Sequence, residues 1–293
     1  MDANSRYQVI KRLQTGLPRG APFDLGTLAS LGVSAQLAAR YAQGGWLLRL
    51  GHGVYAFPND DFGVYGALKF LQQRVPGLHF GSKSALALQG VQHNLGSRDK
   101  LVLWGDVRFV LPDWFTARFP ARYVHASLFD WPDDALASRT VTTPPGLPEG
   151  LCVSAPERAV LELLYEAGTK QSMDEARNLF DGVRSPRTEL LGQLLACCTS
   201  VKTVRLFLTW ARETGLVDAD DLLGRYPLRT GSDKRWMSRL ADGTLLSLNP
   251  HGYQRRQIQD RIAKISARLA AHSATASEAM DASVSDAPVP ACP

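Results

Sequence analysis

The feature that most constrains the fold is a two-stranded pattern around a glycine-rich tip, "GGWLLRLGHGVYAFP", at residues 44–58. Two short apolar runs flank the tip, as expected for a β-hairpin that reverses over a tight turn. The hairpin directly follows an alanine-rich segment, "VSAQLAARYAQ", in which Ser34 can cap a helix and Gly44 can end it. A short helix joined so closely to a hairpin leaves few compact folds open to this part of the chain.

Two further helices are predicted before this pair. Residues 6–16 carry apolar side chains at helical spacing and end at a glycine. Asp24 can cap a second helix that runs to Leu31 and stops at Gly32, so the segment "SLGVS" forms the tight turn between two helices. The predicted order of helix, helix, turn, helix and hairpin is that of a winged helix-turn-helix, with the hairpin as the wing.

The helix after the turn has two unlike faces. Leu37 and Tyr41 fall on the face that we expect to be buried, and Gln36, Arg40 and Gln43 fall on the opposite face. Arg can pair with guanine and Gln with adenine in the major groove of DNA, which predicts base readout by these three side chains. The other interpretation is that they simply face water.

Cations outside this helix are expected to hold the DNA backbone. Arg49 and His52 lie in the predicted wing, where they would contact the backbone or the minor groove, and Arg19 with Lys11 or Arg12 would contact phosphates. The complete set of predicted DNA-contacting residues is Ser34, Gln36, Arg40, Gln43, Arg49, His52, Arg19, Lys11 and Arg12.

The distribution of charge agrees with a polyanionic partner. The whole chain has a net charge of only +5, but residues 1–58 hold six Lys or Arg against two acidic residues. Residues 251–272 hold five basic residues against one acidic residue. Basic residues concentrated at the two ends favour binding to nucleic acid, although either cluster could be a solvated face.

The remaining chain predicts a mixed α/β architecture of the α+β kind. Three β-rich runs, "KLVLWGD", "VRFVLP" and "ARYVHASLF", precede a mainly helical stretch that begins at Pro156. Four segments are predicted: a winged helix-turn-helix DNA-binding domain at 1–58, a mixed α/β domain with a helical bundle at 59–250, a basic helix at 251–272 and a disordered tail at 273–293.

Three segments share their pattern with a known family. The first runs from Gly32-Val33-Ser34 through Gly45, Leu47 and Arg49 to Gly53-Val54-Tyr55, and the others are "SKSALALQGV" at 82–91 and "SAPERAVLELL" at 154–164. Together they resemble the AbiEi-type antitoxins of bacterial abortive-infection, type IV toxin–antitoxin systems. The order of all three, across roughly residues 7–250, is considerably more specific than the first pattern alone.

The resemblance implies both a function and a partner. It implies an N-terminal domain that binds inverted repeats in double-stranded DNA at its own promoter and represses the operon. It also implies that residues 59–250 are an antitoxin domain, which counters a nucleotidyltransferase-like toxin without a stable complex. Arg158, in the third segment, would then lie either in a structural ion pair or on an immunity-related surface.

Catalytic and metal-binding patterns are weak in this sequence. The six His lack metal-ligand spacing, no P-loop occurs, and none of the eight Lys follows a carboxylate at the spacing of common nucleases. We therefore predict no enzyme activity and no catalytic, metal or cofactor site. Two alternatives stay open: a DNA-processing nuclease targeted by the winged helix, and a ligand-sensing transcription factor unrelated to a toxin.

The cellular location is predicted from what the sequence does not contain. The four Cys form no C-x-x-C pair, the first residues lack the apolar run of a signal peptide, and no apolar run approaches 18 residues. We expect a reduced, cytoplasmic protein that does not bind a membrane.

Overall fold

Two hydrophobic cores organise the molecule. The computed structural model describes residues 3–91 and 100–250. A smaller core lies between Val9 and Phe57, and a larger one between Ala56 and Leu248. We call the elements around the smaller core the head and those around the larger core the body. The basic helix predicted at 251–272 and the tail predicted at 273–293 lie outside the described residues.

The head contains three helices and three short strands. Its elements are α1 (Ala3–Gly16), β1 (Phe23–Asp24), α2 (Leu25–Ser30), α3 (Ala35–Gln43), β2 (Leu48–Gly51) and β3 (Val54–Ala56). The strands form an antiparallel sheet in the order β1-β3-β2. The predicted helices, turn and hairpin are confirmed, whereas β1 was missed because two residues leave no periodic pattern in a sequence.

Side-chain caps start the two helices of the helix-turn-helix. Asp24 accepts a hydrogen bond from the Thr27 amide at 2.8 Å, and Ser34 accepts one from the Leu37 amide at 3.3 Å. Gly32, in the turn between them, has a φ of +83°, a conformation that most other residues avoid. Local chemistry therefore fixes where both helices begin.

The body is built on a five-stranded mixed sheet. Its elements are α4 (Val64–Gln72), β4 (His79–Phe80), α5 (Ser82–Leu88), β5 (Leu101–Gly105), α6 (Asp113–Thr116), β6 (Ala121–His125), α7 (Asp134–Arg139), β7 (Val141–Thr142), β8 (Val153–Ser154), α8 (Pro156–Glu166), α9 (Met173–Gly182), α10 (Thr188–Cys197), α11 (Val201–Thr214), α12 (Ala219–Arg225), β9 (Trp236–Arg239) and β10 (Leu245–Leu248). The sheet order is β6-β5-β4-β8-β7, and β9 pairs with β10 as a separate hairpin. The mixed α/β fold class is confirmed.

Helix α8 lies at the centre of the body. Pro156 occupies its first turn, and every other residue of the helix except Tyr165 is buried. The helix packs against α5 beside the sheet and against α9, α10 and α11 on its other sides. A helix covered on all sides joins the sheet to the helical bundle that the sequence predicts.

One predicted β-rich run is not a strand. "VRFVLP" is an irregular connection after β5, and Val110 within it is 87% exposed. The run ends at Pro112, which has no N–H to donate to a sheet and instead precedes α6. The sequence analysis also missed α6, α7, β7 and β9, which are all short.

The head and the body are in direct contact. Asp24 of the head forms an ion pair with Arg74 of the body, and Arg19 forms one with Asp60 at 3.1 Å. Gly66 of α4 approaches the backbone of the head so closely that a Cβ atom would overlap the carbonyl oxygen of Gly20. These contacts orient the helix-turn-helix and the wing relative to the body.

Candidate nucleic-acid interface

The outer face of α3 carries the polar row that the sequence predicts. Gln36, Arg40 and Gln43 are all exposed. Leu37 and Tyr41, on the opposite face, are buried in the head core. The prediction of which face is buried is confirmed, and a slim helix with an exposed Gln-Arg-Gln row is suited to the major groove.

Arg40 is available to a ligand. Within the described residues, its guanidinium has no ion-pair or hydrogen-bond partner. Lys11 and Arg12 on α1 are exposed as well, and Arg12 reaches the turn at Gly32. Ser34 caps α3 and is exposed, so its side chain lies at the end of α3 nearest that turn. The unpaired charges keep their full attraction for a polyanion.

The wing is held by contacts at its tip and at its base. The carbonyl oxygen of Gly53 accepts a hydrogen bond from the Leu25 amide at 3.1 Å, which ties the tip to α2. The indole of Trp114 in α6 lies against Gly51, so the body supports the wing from behind. Arg49 and His52 are exposed, and Arg49 donates to the Gly51 carbonyl at 3.4 Å. The wing thus presents two polar side chains from a fixed support.

Arg19 differs from the other predicted contacts. Its guanidinium lies over the Phe57 ring at 4.1 Å and donates to Asp60 at 3.1 Å. The side chain is still 55% exposed, but its charge is partly balanced by a neighbouring carboxylate. The structure therefore brings Arg19 to the junction of head and body.

Comparison with known proteins identifies the family. A model described as a transcriptional regulator, AbiEi antitoxin N-terminal domain, matches residues 6–97. A second, described as a transcriptional regulator, AbiEi antitoxin of a type IV toxin–antitoxin system, matches residues 98–248. The chain belongs to the AbiEi antitoxin family. It is thus a member of a family of DNA-binding transcriptional regulators that are antitoxins of type IV systems.

A solved structure shares the fold of this AbiEi chain. The crystal structure of the RV2827C protein from Mycobacterium tuberculosis has a TM-score of 0.50 and 17% sequence identity. The similarity covers 81% of this chain and 90% of that chain. The comparison with curated proteins finds no match.

The two AbiEi matches meet at residues 97 and 98, whereas the two hydrophobic cores meet near Ala56 and Phe57. The N-terminal match therefore spans the head together with α4, β4 and α5 of the body. The domain boundary at residue 58 stays a prediction.

The body also contains a buried polar cluster that the sequence analysis missed. Glu162 of α8 is fully buried and accepts hydrogen bonds from His79 at 3.0 Å, Arg158 at 2.8 Å and the Ser82 amide at 2.9 Å. The Ser154 hydroxyl donates to the same carboxylate at 2.9 Å. Only the i,i+4 spacing of Arg158 and Glu162 could have indicated this cluster.

The charge state of the cluster follows from its contacts. Burial alone would raise the pKa of Glu162, but His79 and Arg158 beside it hold that pKa below its ordinary value. His79 lies between two acceptors, because its other ring nitrogen is 2.6 Å from the Gly77 carbonyl oxygen.

This cluster joins the sheet to α8. Its ionised members are at most 6% exposed, so they bind one another and not an outside ligand. Arg158 is therefore in the structural ion pair, one of the two alternatives that the sequence left open. Its neighbour Glu157 is equally buried and pairs with Arg187 at 2.8 Å.

Membrane spans and metal clusters are two features that the described residues do not contain. No helix in this part of the chain has the length and apolar character needed to cross a bilayer. The same residues contain no group of three or more His, Cys, Asp or Glu arranged to hold a metal ion.

Proposed function

We propose that this protein is a sequence-specific DNA-binding repressor that acts through α3 and the wing. The observation that carries the proposal is the exposed row of Gln36, Arg40 and Gln43 beside an anchored wing. Gln36, Arg40 and Gln43 would read base edges in the major groove. Arg49 and His52 would contact the backbone or minor groove, while Lys11, Arg12, Arg19 and Ser34 would fix the register.

The biological role that we infer is that of a self-regulating antitoxin. The protein would bind inverted repeats upstream of its own operon in the cytoplasm and would counter a nucleotidyltransferase-like toxin without a stable complex. Residues 1–58 would bind the DNA and residues 59–250 would give immunity. Membership of the AbiEi family supports this role, which requires no catalytic step and no cofactor.

A mobility-shift experiment tests the DNA-binding proposal. The full chain is titrated onto its own upstream DNA and onto a scrambled duplex of equal composition, at two salt concentrations. We expect tight binding to the upstream DNA that survives moderate salt, and weaker, salt-sensitive binding to the scrambled duplex. Equal binding to both duplexes that vanishes with salt would reduce the head to an electrostatic patch and refute the repressor proposal.

The same gels include a lane with magnesium. Intact DNA is expected there, because the proposed action is binding alone. Magnesium-dependent cleavage would favour the nuclease alternative instead.

A further inference from the structure

A cavity of about 480 Å³ opens at the joint between α3 and the wing. Its walls come from the end of α1 and the segment after it, the end of α3, the loop between α3 and β2, and the residues after β3. Leu13, Tyr41, Leu47 and Phe57 line it and also belong to the head core. The cavity thus reaches into the core, and its volume is within the range of small-molecule sites.

Tyr41 contributes an unused polar group to this cavity. The residue is 9% exposed, and its hydroxyl is buried without a hydrogen-bond partner among the described residues. Buried hydroxyl groups in proteins are nearly always hydrogen-bonded, so an unpaired one requires an explanation. Because this oxygen is closed to solvent, a ligand oxygen would accept from it after a shift of the Tyr41 side chain toward the cavity, and that contact would supply the missing partner.

The other polar groups of the cavity select for a negative charge. Among the described residues that line it, Arg19 carries the one charge, and the Asp60 carboxylate that pairs with Arg19 is not part of the lining. The Arg19 guanidinium has five N–H donors and gives one to Asp60, so others remain for a ligand. Gln14 and Asn59 add amide donors.

The apolar part of the cavity favours a flat ring. Trp46 lies at the wall and is 56% exposed, an unusual exposure for so large an aromatic side chain. Phe57 forms another wall, so that aromatic faces and a cation meet in one site. These are the groups that recognise an aromatic acid.

We propose that this cavity binds a small aromatic carboxylate and that its binding lowers the affinity of the protein for DNA. The regulatory half of this inference rests on the proposed function. The ligand carboxylate would neutralise the charge that Asp60 leaves unbalanced on Arg19, a predicted phosphate contact, and would add negative charge at the end of α3. Because binding linkage is reciprocal, DNA would weaken ligand binding by the same factor.

Calorimetry without DNA tests the ligand site. Benzoate and indole-3-acetate are titrated into the full chain, with benzamide and indole-3-acetamide as neutral counterparts. We expect the wild-type chain to bind at least one carboxylate with a Kd below about 1 mM and to bind its amide at least about tenfold more weakly.

Three variants locate the site. Tyr41→Phe keeps the ring but removes the hydroxyl, and it should weaken carboxylate binding about tenfold. Gln14→Trp should fill the cavity from α1 and abolish binding. Gln8→Trp places the same side chain at an exposed position of α1 outside the cavity and should leave binding intact.

Several results would overturn the site. These are no carboxylate binding to the folded wild-type chain, equal binding of acid and amide, or equal behaviour of Gln14→Trp and Gln8→Trp. Thermal unfolding of each variant confirms that it is folded, and Tyr41→Phe provides the test if Gln14→Trp does not fold.

Mobility shifts with and without the bound carboxylate test the regulation. We expect saturating ligand to weaken binding to the upstream DNA about tenfold in the wild-type and Gln8→Trp chains. An unchanged DNA affinity would refute the regulation. If no variant binds DNA at all, the proposed function fails, while calorimetry still decides the ligand site.

Discussion

Arg40 and Arg49 are both exposed arginines of the head, but their surroundings differ. Arg40 lies between two glutamines on α3, where it can reach base edges. Arg49 lies on the wing and donates to the Gly51 carbonyl, which directs it along the hairpin. At the scale of single residues, this contrast separates sequence readout from backbone binding.

The two arginines predict different mutant phenotypes. Arg40→Ala should lose about 1–3 kcal/mol of discrimination between operator and scrambled DNA, because it removes a base contact. Arg49→Ala should weaken binding to both duplexes similarly and lower the slope of log K against log salt by about one. Titrations at several salt concentrations measure both quantities.

Arg139→Ala, an exposed arginine of α7 in the body, is the control and should change neither quantity. Equal loss of affinity on both duplexes for Arg40→Ala would contradict base readout.

Glu162 shows how much a single buried charge can contribute to the stability of the protein. Glu162→Gln keeps the size of the side chain but leaves Arg158 and His79 without their carboxylate, which should destabilise the protein by about 3–5 kcal/mol. Urea unfolding followed by circular dichroism measures the change.

The matched control is Glu175→Gln, which removes a partly exposed ion pair with Lys83. That variant should lose about 1 kcal/mol or less. Similar losses for the two variants would show that the buried cluster is not a major source of stability.

At the scale of elements, Asp24 links three parts of the fold. It ends β1, caps α2 and pairs with Arg74 of the body. Although burial opposes the shift, hydrogen bonds from Thr27 and Arg74 lower the pKa of Asp24 to about 2. The folded state therefore binds a proton at this site less readily than the unfolded chain does.

This shift predicts a loss of stability in acid. A lowered pKa gives stabilisation that is complete above the ordinary Asp pKa of 3.8 and is lost as pH falls toward about 2. Asp24→Asn keeps a capping oxygen but cannot titrate. Over this pH window, its free energy of unfolding should therefore fall by about 1 kcal/mol less than that of the wild-type chain. Urea midpoints at several pH values measure the difference, and parallel curves would contradict the assignment.

Gly66 tests how tightly α4 is held against the head. Gly66→Ala places a Cβ on the carbonyl oxygen of Gly20 and should destabilise the protein by about 1–3 kcal/mol through overpacking. Gly224→Ala is the control, because Gly224 lies exposed in α12 with nothing near its Cβ position. That change should stabilise the protein by about 0.5–1 kcal/mol. Thermal unfolding should therefore show a lower midpoint for Gly66→Ala and a higher midpoint for Gly224→Ala.

At the scale of the whole molecule, separate cores suggest that DNA binding and immunity can be separated. The Arg40 side chain is exposed on α3 of the head. If the proposed function is right, Arg40→Ala should therefore lose repression of a reporter fused to the upstream DNA, yet still protect cells from the proposed nucleotidyltransferase-like toxin. Loss of protection at a normal protein level would show that the proposed division between residues 1–58 and 59–250 is wrong.

The predictability of this fold depends on the sequence distance over which each interaction acts. The helix caps at Asp24 and Ser34 act over three residues, and helical periodicity acts over four. Such interactions leave local patterns in the sequence. The winged helix-turn-helix and the exposed row on α3 are predictable for this reason. The run "VRFVLP" shows what composition alone does not predict, because its β-prone residues form an irregular connection before a proline and not a strand.

Local sequence patterns are enough to predict the three helices of the head, the wing, the face that α3 presents to solvent and the main helices of the body. Contacts between residues far apart in the chain come from tertiary packing alone. His79 meets Glu162 across 83 residues, and Arg19 meets Asp60 across 41. The cavity beside Tyr41 likewise needs α1, α3, the loop that follows α3 and the residues after β3 in place. Contacts of this kind depend on how elements pack, and packing leaves no period in the sequence.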